Sequence, residues 1–584
     1  SRFWNRMRNL LTIRRALTMA LAALFASGCA RFAYVALPPP TEEVAVSPQY
    51  RAQFLPGIPS ATFEVYLQNT TAKPIVFTSA VLNEMRLPLV TAPEWEQATH
   101  GIEVEGVGTT AAPLSKVLWW QFYPSSNAAP GETVVAQVHF LEAPVKEQKL
   151  VVGDGDQRNY SISIPAYRPP DRCIRNVTYT HDYRRMFIQY PVGRPQPVRL
   201  WINSREVLTY SILKPGEGGA GDMLALDAPF KIAPGQPLHI KVAFNDGQTC
   251  QAMVRAMSGI MLDAYTLKDE KDRGRLRLDK VPAVDTVAGA QKGDVGCDDA
   301  RQRRLGASVP EVVSGRMKAL NDPATRNRLT AVHYCVVSHP LLVATYGPLA
   351  DAALASPYSV SHGTAGVPIM ENEERHMDWA AASVWPRPWL WIPDAFKGRD
   401  RFLEPEELDV MTWMALLKGC KGIKYFRAYS ADGSGFEACP TLEQAIRKTN
   451  VRVREAGKTL APLMPVEERL LDDGQRGTKL YIAWAGDRGV LLLLRNLAYE
   501  TDDAADANSD RPRFRALPKT GISVVYRLPD WVNYRDVRDW RTGKKVDAVC
   551  DNHRRVHIRV QRLDGCALLW IGNGKEPWWR SFMG

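Results

Sequence analysis

The sequence predicts a multidomain α+β protein with two N-terminal β-sandwiches, a central parallel α/β region and a C-terminal antiparallel β domain. Apolar and polar residues alternate over residues 63–67, 134–140 and 160–164, and Gly and Pro turns separate these runs. This period of two is typical of strands with one buried face. From residue 259 short apolar strands alternate with helical segments, which indicates a parallel sheet. Past residue 465 the strand pattern returns.

These changes of pattern divide the chain. The 584 residues, 45% of them hydrophobic, are enough for several separate cores. We expect a signal peptide at 1–28, a tether at 29–48, sandwiches at 49–168 and 169–257, the central region at 258–465 and the C-terminal β domain at 466–584.

The N-terminal segment ends in a lipobox, Ala26-Ser27-Gly28-Cys29, after five arginines and the apolar run 16–25. That run is too short to span a bilayer, which takes about 20 residues. A bacterial lipoprotein signal explains it better than a buried helix does. We therefore expect lipidation at Cys29 and an exported, lipid-anchored protein at the outer membrane or the periplasmic face.

The α/β region contains predicted strands at 259–262, 329–335, 357–360, 389–393 and 422–429. Helix signals separate them. A capping box with proline marks a helix from Ser308, acidic residues mark one from Glu404 to near Gly419, and Thr441 with Gln444 marks a third.

Charge and motifs exclude several functions. The formal charge of +11 falls to +6 when the five arginines of residues 1–28 are removed, and no basic stripe remains to bind nucleic acid. No nucleotide-binding loop or nucleophile elbow is present. His333, Cys335 and His339 do not have the spacing of a zinc site. We therefore expect no cofactor and no metal.

The nine cysteines leave eight after lipidation, an even number suited to an oxidising compartment. We expect the pairs Cys173 with Cys250 and Cys550 with Cys566, although sequence does not define connectivity. The other four are either paired or buried thiols: Cys297, Cys335, Cys420 and Cys439.

Residues 405–425, PEELDVMTWMALLKGCKGIKY, resemble the last helix–strand step of glycoside-hydrolase-like TIM barrels of the family 42 β-galactosidase type. Residues 305–311, LGASVPE, and 537–544, VRDWRTGK, are similar to other parts of such multidomain bacterial surface proteins. The resemblance implies a (β/α)8-type barrel over 258–465. Residues 259–465 number only 207, against about 250 in a complete barrel, so the barrel is either complete and compact or shortened.

Hydrolysis of a glycosidic bond requires two carboxyl groups across the sugar. The resemblance implies glutamates after the fourth and seventh strands. Here Asn372-Glu373 is the one Asn-Glu pair of the region, and the strand 389–393 is followed by Asp394. Asp394, Glu373 and Asp263, which follows the first strand, are the candidate catalytic residues. Glu371, Glu374 and Glu437 are further acidic candidates. Helix starts and loop ion pairs explain these carboxylates equally well.

Aromatic residues concentrate around the last strands of this region, and flat rings can stack on the apolar faces of sugars. Packing in the core is the alternative role. The candidate substrate-binding residues are Trp385, Trp389, Tyr425, Arg427 and Tyr429.

Two functions follow from these observations. The first is a lipid-anchored glycoside-hydrolase-like protein acting on a polysaccharide or oligosaccharide at the cell envelope. The second is a non-catalytic glycan-binding or structural lipoprotein with a degenerate barrel. The partners common to both are a glycan and a membrane, not nucleic acid.

Overall fold

The computed structural model describes most of the chain after residue 42. The described residues are 34–36, 43–51, 60–87, 117–140, 142–170, 172–191, 196–215, 221–279, 284–286, 328–335, 340–362, 369–398, 401–471, 477–501 and 514–573. The predicted lipidation site Cys29 and the predicted helix from Ser308 lie outside them.

The first β unit is a sandwich of two antiparallel sheets. Strand β1 (Tyr34–Ala36) pairs elsewhere; the sandwich contains β2 (Val44–Tyr50), β3 (Ala61–Asn69), β4 (Ile75–Leu82), β5 (Met85–Leu87), β6 (Val117–Tyr123), β7 (Asn127–Ala128), β8 (Thr133–Phe140), β9 (Gln148–Asp154) and β10 (Asn159–Ile164). The sheet orders are β2-β3-β8-β6 and β10-β9-β4-β5, with β7 beside β4. Apolar residues of both sheets, such as Val65 and Val152, share one buried core.

A second sandwich follows. Its strands are β11 (Asn176–Tyr179), β12 (Arg185–Pro191), β13 (Pro197–Ile202), β14 (Arg205–Val207), β15 (Ser211–Leu213), β16 (Gly221–Asp227), β17 (Pro237–Phe244) and β18 (Thr249–Arg255). The sheet β1-β14-β13-β17-β18 covers the sheet β11-β12-β16-β15. The three alternating runs of the sequence lie on β3, β8 and β10 of the first sandwich, as predicted.

The central region is a six-stranded parallel sheet with helices. Its elements are β19 (Met261–Ala264), α1 (Glu270–Arg275), β20 (Val284–Thr286), β21 (Leu329–Cys335), α2 (Pro340–Tyr346), β22 (Ala352–Ser356), α3 (Ser359–His362), α4 (Ile369–Val384), β23 (Trp389–Trp391), α5 (Pro405–Leu417), β24 (Gly422–Tyr425), α6 (Pro440–Glu455) and α7 (Gly457–Leu460). Short 3-10 helices occupy Gly347–Leu349 and Phe436–Ala438.

The strand order is β19-β24-β23-β22-β21-β20, and every pair is parallel. From β20 to β24, strands that follow one another in the chain are neighbours in the sheet. The first strand, β19, pairs with the last, β24, so the sheet resembles a ring that is open between β19 and β20. A closed eight-stranded barrel is not seen within the described residues.

One predicted strand of this sheet is wrong. Residues 357–360 leave the sheet and start α3, and the strand is instead Ala352–Ser356, whose composition does not favour β structure. Ala353 and Ala355 lie beside Trp389 and Trp391 of β23. We infer that small residues are suited to this position because the large indoles occupy the space beside it.

The C-terminal unit is antiparallel. Its strands are β25 (Leu463–Leu471), β26 (Thr478–Ala485), β27 (Gly489–Asn496), β28 (Tyr499–Thr501), β29 (Phe514–Ala516), β30 (Lys519–Arg527), β31 (Arg538–Asp539), β32 (Asp547–Cys550), β33 (Arg555–Leu563) and β34 (Cys566–Gly572). They form the sheets β25-β26-β27-β34-β31, β30-β33-β32 and β28-β29. The described chain is therefore mainly β, with the parallel sheet at its centre.

Buried polar contacts join the units. Trp119 of β6 donates to the Thr345 carbonyl at 3.0 Å, and Tyr123 donates to Asp351 at 2.7 Å. In the second sandwich Gln189 donates to the Pro465 carbonyl of β25 at 2.8 Å. These contacts fix the positions of the walls described below.

Neither predicted disulfide is present, and the described cysteines are thiols. Cys550 and Cys566 belong to different sheets, and the Cys566 Sγ is 2.9 Å from the Arg541 guanidinium. Cys173 precedes β11, whereas Cys250 lies in β18. No described helix is long and apolar enough to span a bilayer.

Candidate functional site

Polar side chains line one face of the parallel sheet near the carboxyl ends of its strands. Asp263 of β19 lies opposite Lys424 of β24, with 3.9 Å between the carboxylate and the ammonium. His333 of β21 contacts the hydroxyl of Ser356 at the end of β22, at 2.6 Å. The carboxyl edge of a parallel sheet is where ligands of α/β proteins usually bind. A bound ligand is therefore expected first at this edge of the sheet.

Asp263 contacts two cationic side chains. Arg273 of α1 donates to its Oδ1 at 2.5 Å, and Lys424 stands on its other side. Only 7% of its side chain is exposed. The residue is the third of β19, not in a loop after the strand as predicted. Its contacts with Arg273 and Lys424 suit a structural role that anchors α1 to the sheet.

Aromatic rings cover the same edge. Phe426 is in ring contact with Tyr265, Tyr358 and Phe396, at centroid distances of 5.8, 5.3 and 5.1 Å. Phe396 and Tyr358 are buried. Among the described residues, side chains therefore fill this edge of the sheet.

Two of the separately predicted catalytic candidates, Glu373 and Asp394, lie near enough to interact electrostatically. Asp394 follows β23, and its Oδ2 accepts a hydrogen bond from the backbone N–H of Val360 at 2.8 Å. Glu373 is on α4, and neither of its carboxyl oxygens has a hydrogen-bond partner among the described residues. Both side chains are fully buried.

Burial raises the pKa of Glu373 well above its usual range, and the charge of Asp394 raises it further, while the Trp391 indole acts in the opposite direction. The protonated form of Glu373 is therefore favoured up to a higher pH than in an exposed glutamate. A neutral acid beside a second carboxyl group is the pairing that acid–base catalysis uses. Here the pair lies inside the core, out of contact with solvent.

Two predicted sugar-stacking rings are also in the core. The Trp389 indole donates to the Lys418 carbonyl at 3.2 Å, and the Tyr425 hydroxyl donates to Asn450 at 2.8 Å. Both side chains are buried, so neither presents a ring face to solvent. This placement favours a packing role.

Arg427 and Tyr429 lie beyond the end of β24 and are partly exposed. Arg427 donates to Ser434 at 2.9 Å and lies over the Phe396 ring, while Tyr429 donates to Asp272 at 2.8 Å. Lys268 covers the Tyr429 ring at 3.9 Å. Their polar groups hold loops together here. Glu437, in the same loop, accepts from the Ser430 N–H at 3.1 Å.

An open cleft of about 610 Å³ lies elsewhere, on the outer side of α4. The second sandwich and β25 form its other walls. The lining residues are Arg175, Asn176, Gln189, Glu371, Glu374, Arg375, Asp378, Trp379, Ala381, Ala382, Trp385, Lys418 and Pro465–Glu468. Of the predicted substrate-binding residues, Trp385 alone is in this set.

Two half-buried indoles line this cleft, Trp379 on α4 and Trp385 just after its end. The guanidinium of Arg175 lies over the Trp385 ring at 5.2 Å, and that of Arg375 lies over Trp379 at 5.4 Å. Trp379 was not among the substrate-binding residues predicted from the sequence. The sequence feature that could have identified it is an aromatic residue among the charged residues of an amphipathic helix, because such a position should face solvent.

Ion pairs around the buried Lys418 form the base of the cleft. Lys418 contacts Asp378, Glu468 and Glu374 at 2.5, 2.6 and 3.4 Å. Glu374 also pairs with Arg495 at 2.6 Å. Despite the opposing effect of burial, Lys418, Arg495 and Lys479 lower the pKa of Glu374 to about 2. Glu374 is thus a fixed anion that binds the C-terminal unit to α4.

Within the described part of the chain, no group of three or more His, Cys, Asp or Glu side chains is arranged to hold a metal ion. His333 is buried, which lowers its pKa to about 4, and it bonds to Ser356. The side chains of Cys335 and His339 lie outside the described set.

No protein-family model and no curated protein matches the sequence. Among solved structures, a glycoside hydrolase is similar at 8% identity over 49% of this chain and 64% of that chain, with a TM-score of 0.27. The chain thus spans less than two thirds of that protein. An α-L-fucosidase of family 29 from Bacteroides thetaiotaomicron is similar at 10% identity over 46% and 72%, with a TM-score of 0.21.

A third similar structure is the Bacteroides ovatus protein SGBP-B of a mixed-linkage glucan utilization locus, in complex with a heptasaccharide. Its identity is 8% over 40% of this chain and 66% of that chain, with a TM-score of 0.12. All three TM-scores lie below 0.5, so the similarity does not define the function of this chain. The structural neighbours include glycoside hydrolases and a glycan-binding protein as well as tandem Ig domains of titin, and the family 42 type predicted from the sequence is not shown.

Proposed function

We propose that the protein binds an oligosaccharide in the cleft beside α4 and does not hydrolyse it. One observation carries the proposal, the open cleft with the half-buried indoles of Trp379 and Trp385 in its wall. Its volume is within the range of about 300–1,000 Å³ usual for ligand pockets, and it lies where domains meet, a frequent position for such pockets.

The chemistry of the wall suits a sugar. Indole rings offer flat apolar faces, and the guanidinium groups of Arg175 and Arg375 can donate several hydrogen bonds to hydroxyl groups. Trp379 lies on α4 and Trp385 follows its last residue, so the two indoles occupy separate positions along the wall. The cleft therefore has room and contacts for more than one sugar ring.

The carboxylates of the cleft are poorly arranged for hydrolysis. Glu374 and Asp378 are one helical turn apart on the same face of α4, and both contact Lys418. Hydrolysis needs two carboxyl groups on opposite sides of the glycosidic bond. Glu468 on the β25 wall shares the same lysine, and the other carboxylates of the cleft are also held in ion pairs, Glu371 with Arg495 and Glu467 with Arg469. Carboxylates that are paired in this way are poorly placed to act as acid and base on a bound sugar.

The location of this binding rests on the predicted lipidation of Cys29. An anchored protein with an open cleft would hold a glycan at the cell envelope, as part of a binding or structural assembly. Metabolic labelling with a fatty-acid probe, compared between the wild type and Cys29→Ser, tests the anchor separately from the cleft.

A glycan array followed by calorimetry on the best oligosaccharide tests the cleft. We expect Trp379→Ala and Trp385→Ala each to weaken binding by about tenfold or more, which is about 1.4 kcal/mol of lost stacking. Phe230→Ala is the matched control, because Phe230 is also half-buried under an arginine, Arg205 at 5.4 Å, but lies outside the cleft. Circular dichroism confirms that each variant is folded.

Two results would contradict the proposal. One is the absence of any bound glycan on the array. The other is equal affinity of Phe230→Ala and both tryptophan variants for a glycan that does bind.

Hydrolysis remains a second candidate because burial and the nearby Asp394 raise the pKa of Glu373, as in a general acid. If these residues catalyse, the wild type should release reducing ends from the bound oligosaccharide, and Glu373→Gln should abolish that release without weakening binding. The non-catalytic proposal predicts no release by either protein. Release that persists in Glu373→Gln and Asp394→Asn would exclude this pair as the catalyst.

A further inference from the structure

We propose that Cys173 and Cys250 form an intramolecular disulfide when the protein meets a disulfide oxidant. The two residues are far apart in sequence but belong to the same sandwich, Cys173 before β11 and Cys250 in β18. Both are thiols in the structure. The proposed bond is independent of the proposed glycan binding.

The residues on either side of Cys173 contact the hairpin that contains Cys250. Arg172 donates two hydrogen bonds to Asp246 in the turn between β17 and β18, one of them at 2.8 Å, and its guanidinium lies 5.0 Å from the Phe244 ring centroid. Ile174 is buried in the same apolar cluster as Phe244 and Cys250. Cys173 is thus held against this hairpin from both sides.

A small cavity gives the second observation. Cys173 lines it together with Gln251 and Ala252, the two residues that follow Cys250. Burial raises the pKa of the Cys250 thiol, and the charge of Cys173 raises it further, as expected for neighbouring thiols. A disulfide needs a Cα separation of about 4.4–6.8 Å, and the contacts of Arg172 and Ile174 keep Cys173 beside the hairpin that contains Cys250.

The exposures suggest an order of reaction. Cys173 is half-buried and Cys250 is buried. The Cys173 thiolate attacks oxidised glutathione, forming a mixed disulfide and releasing one glutathione thiol. The Cys250 thiolate then attacks the Cys173 sulfur and releases the second. The two protein thiols lose two electrons and two protons, and one oxidised glutathione becomes two reduced ones.

The bond would also restrain one wall of the cleft, a consequence that rests on the proposed function. Arg175 is two residues after Cys173 and lies over the Trp385 ring, and Trp385 lines the small cavity beside Cys173. Oxidation would hold the segment that carries Arg175 to the core of the second sandwich. The part of the cleft wall that contains Arg175 and Trp385 would then move less.

Peptide mapping tests the bond directly. The purified chain is incubated with oxidised or reduced glutathione, remaining thiols are alkylated in denaturant, and proteolytic peptides are analysed by mass spectrometry without reduction. We expect a Cys173–Cys250 peptide pair, two hydrogens lighter than the sum of its thiol peptides, in the oxidised sample. Cys173→Ser and Cys250→Ser should each leave the other thiol alkylated, and Cys420 should stay alkylated throughout.

Thermal unfolding gives an independent readout. The closed loop is long, so the oxidised wild type should melt roughly 5 °C or more above the reduced form, and Cys173→Ser should show no such difference. Full alkylation of both cysteines after oxidation, or bonding of Cys173 to another cysteine, would overturn the proposal. Neither outcome depends on whether a glycan binds.

Discussion

Replacing Arg495 with methionine is expected to lower the free energy of unfolding by about 3–5 kcal/mol, the usual effect of removing one partner of a buried ion pair. Arg495 is fully buried in β27. Its guanidinium pairs with Glu374 at 2.6 Å and with Glu371 at 3.0 Å, and it contacts the Tyr481 hydroxyl at 3.1 Å. Without the arginine, the buried Glu374 loses one of the cations that keep it ionised.

Urea unfolding of Arg495→Met measures this effect. Arg199→Met is the matched control, because Arg199 also makes a two-bond ion pair, with Glu206 at 2.7 Å, but 51% of its side chain is exposed. An exposed pair contributes about 1 kcal/mol or less. If both variants lose the same small amount of stability, Arg495 does not join the C-terminal unit to α4 as described.

Glu373→Gln is expected to remove a pH dependence of stability. The native pKa of Glu373 is raised above its unfolded value by burial and by Asp394. Between these two values the native state binds more protons than the unfolded state, so stability falls as pH rises. The slope is up to about 1.4 kcal/mol per pH unit. Glutamine is neutral throughout, so the variant gains stability relative to the wild type as pH increases from about 5 to 8.

The neighbouring Glu374 is a control because its pKa is shifted in the opposite direction. Its pKa is lowered to about 2, so its contribution to stability is present at neutral pH and is lost as pH falls below about 4. Glu374→Gln should therefore destabilise the protein at pH 7. Unfolding free energies at pH 5 and pH 8 for both variants separate the two cases. An unchanged difference between the wild type and Glu373→Gln would show that Glu373 is ionised in the native state.

The spacing of apolar residues and the positions of turn residues were sufficient to predict much of the fold. The alternation around Val65 and Val138 lies on strands of the first sandwich, and the helix signal at Pro405 agrees with α5. These patterns work because burial on one face of an element repeats along the chain. The strand Ala352–Ser356 was missed because its small residues do not favour β structure on their own. They fit the sheet because Trp389 and Trp391, which are distant in sequence, lie on the neighbouring strand.

The candidate site was harder to predict for the same reason. Glu373 and Asp394 were identified individually, yet their burial depends on how α4 packs on the sheet. The cleft combines Arg175 of the second sandwich with Trp379 of α4 and Glu468 of β25. No local pattern relates these residues, because their proximity is created by contacts between three units of the fold.

A crystal structure of the protein with the best-binding oligosaccharide tests the central claim most directly. We predict sugar density in the cleft beside α4, with rings stacked on Trp379 and Trp385 and hydrogen bonds to Arg175 or Arg375. Sugar bound instead at the carboxyl edge of the parallel sheet, next to Asp263 or the Glu373–Asp394 pair, would contradict the cleft as the functional site.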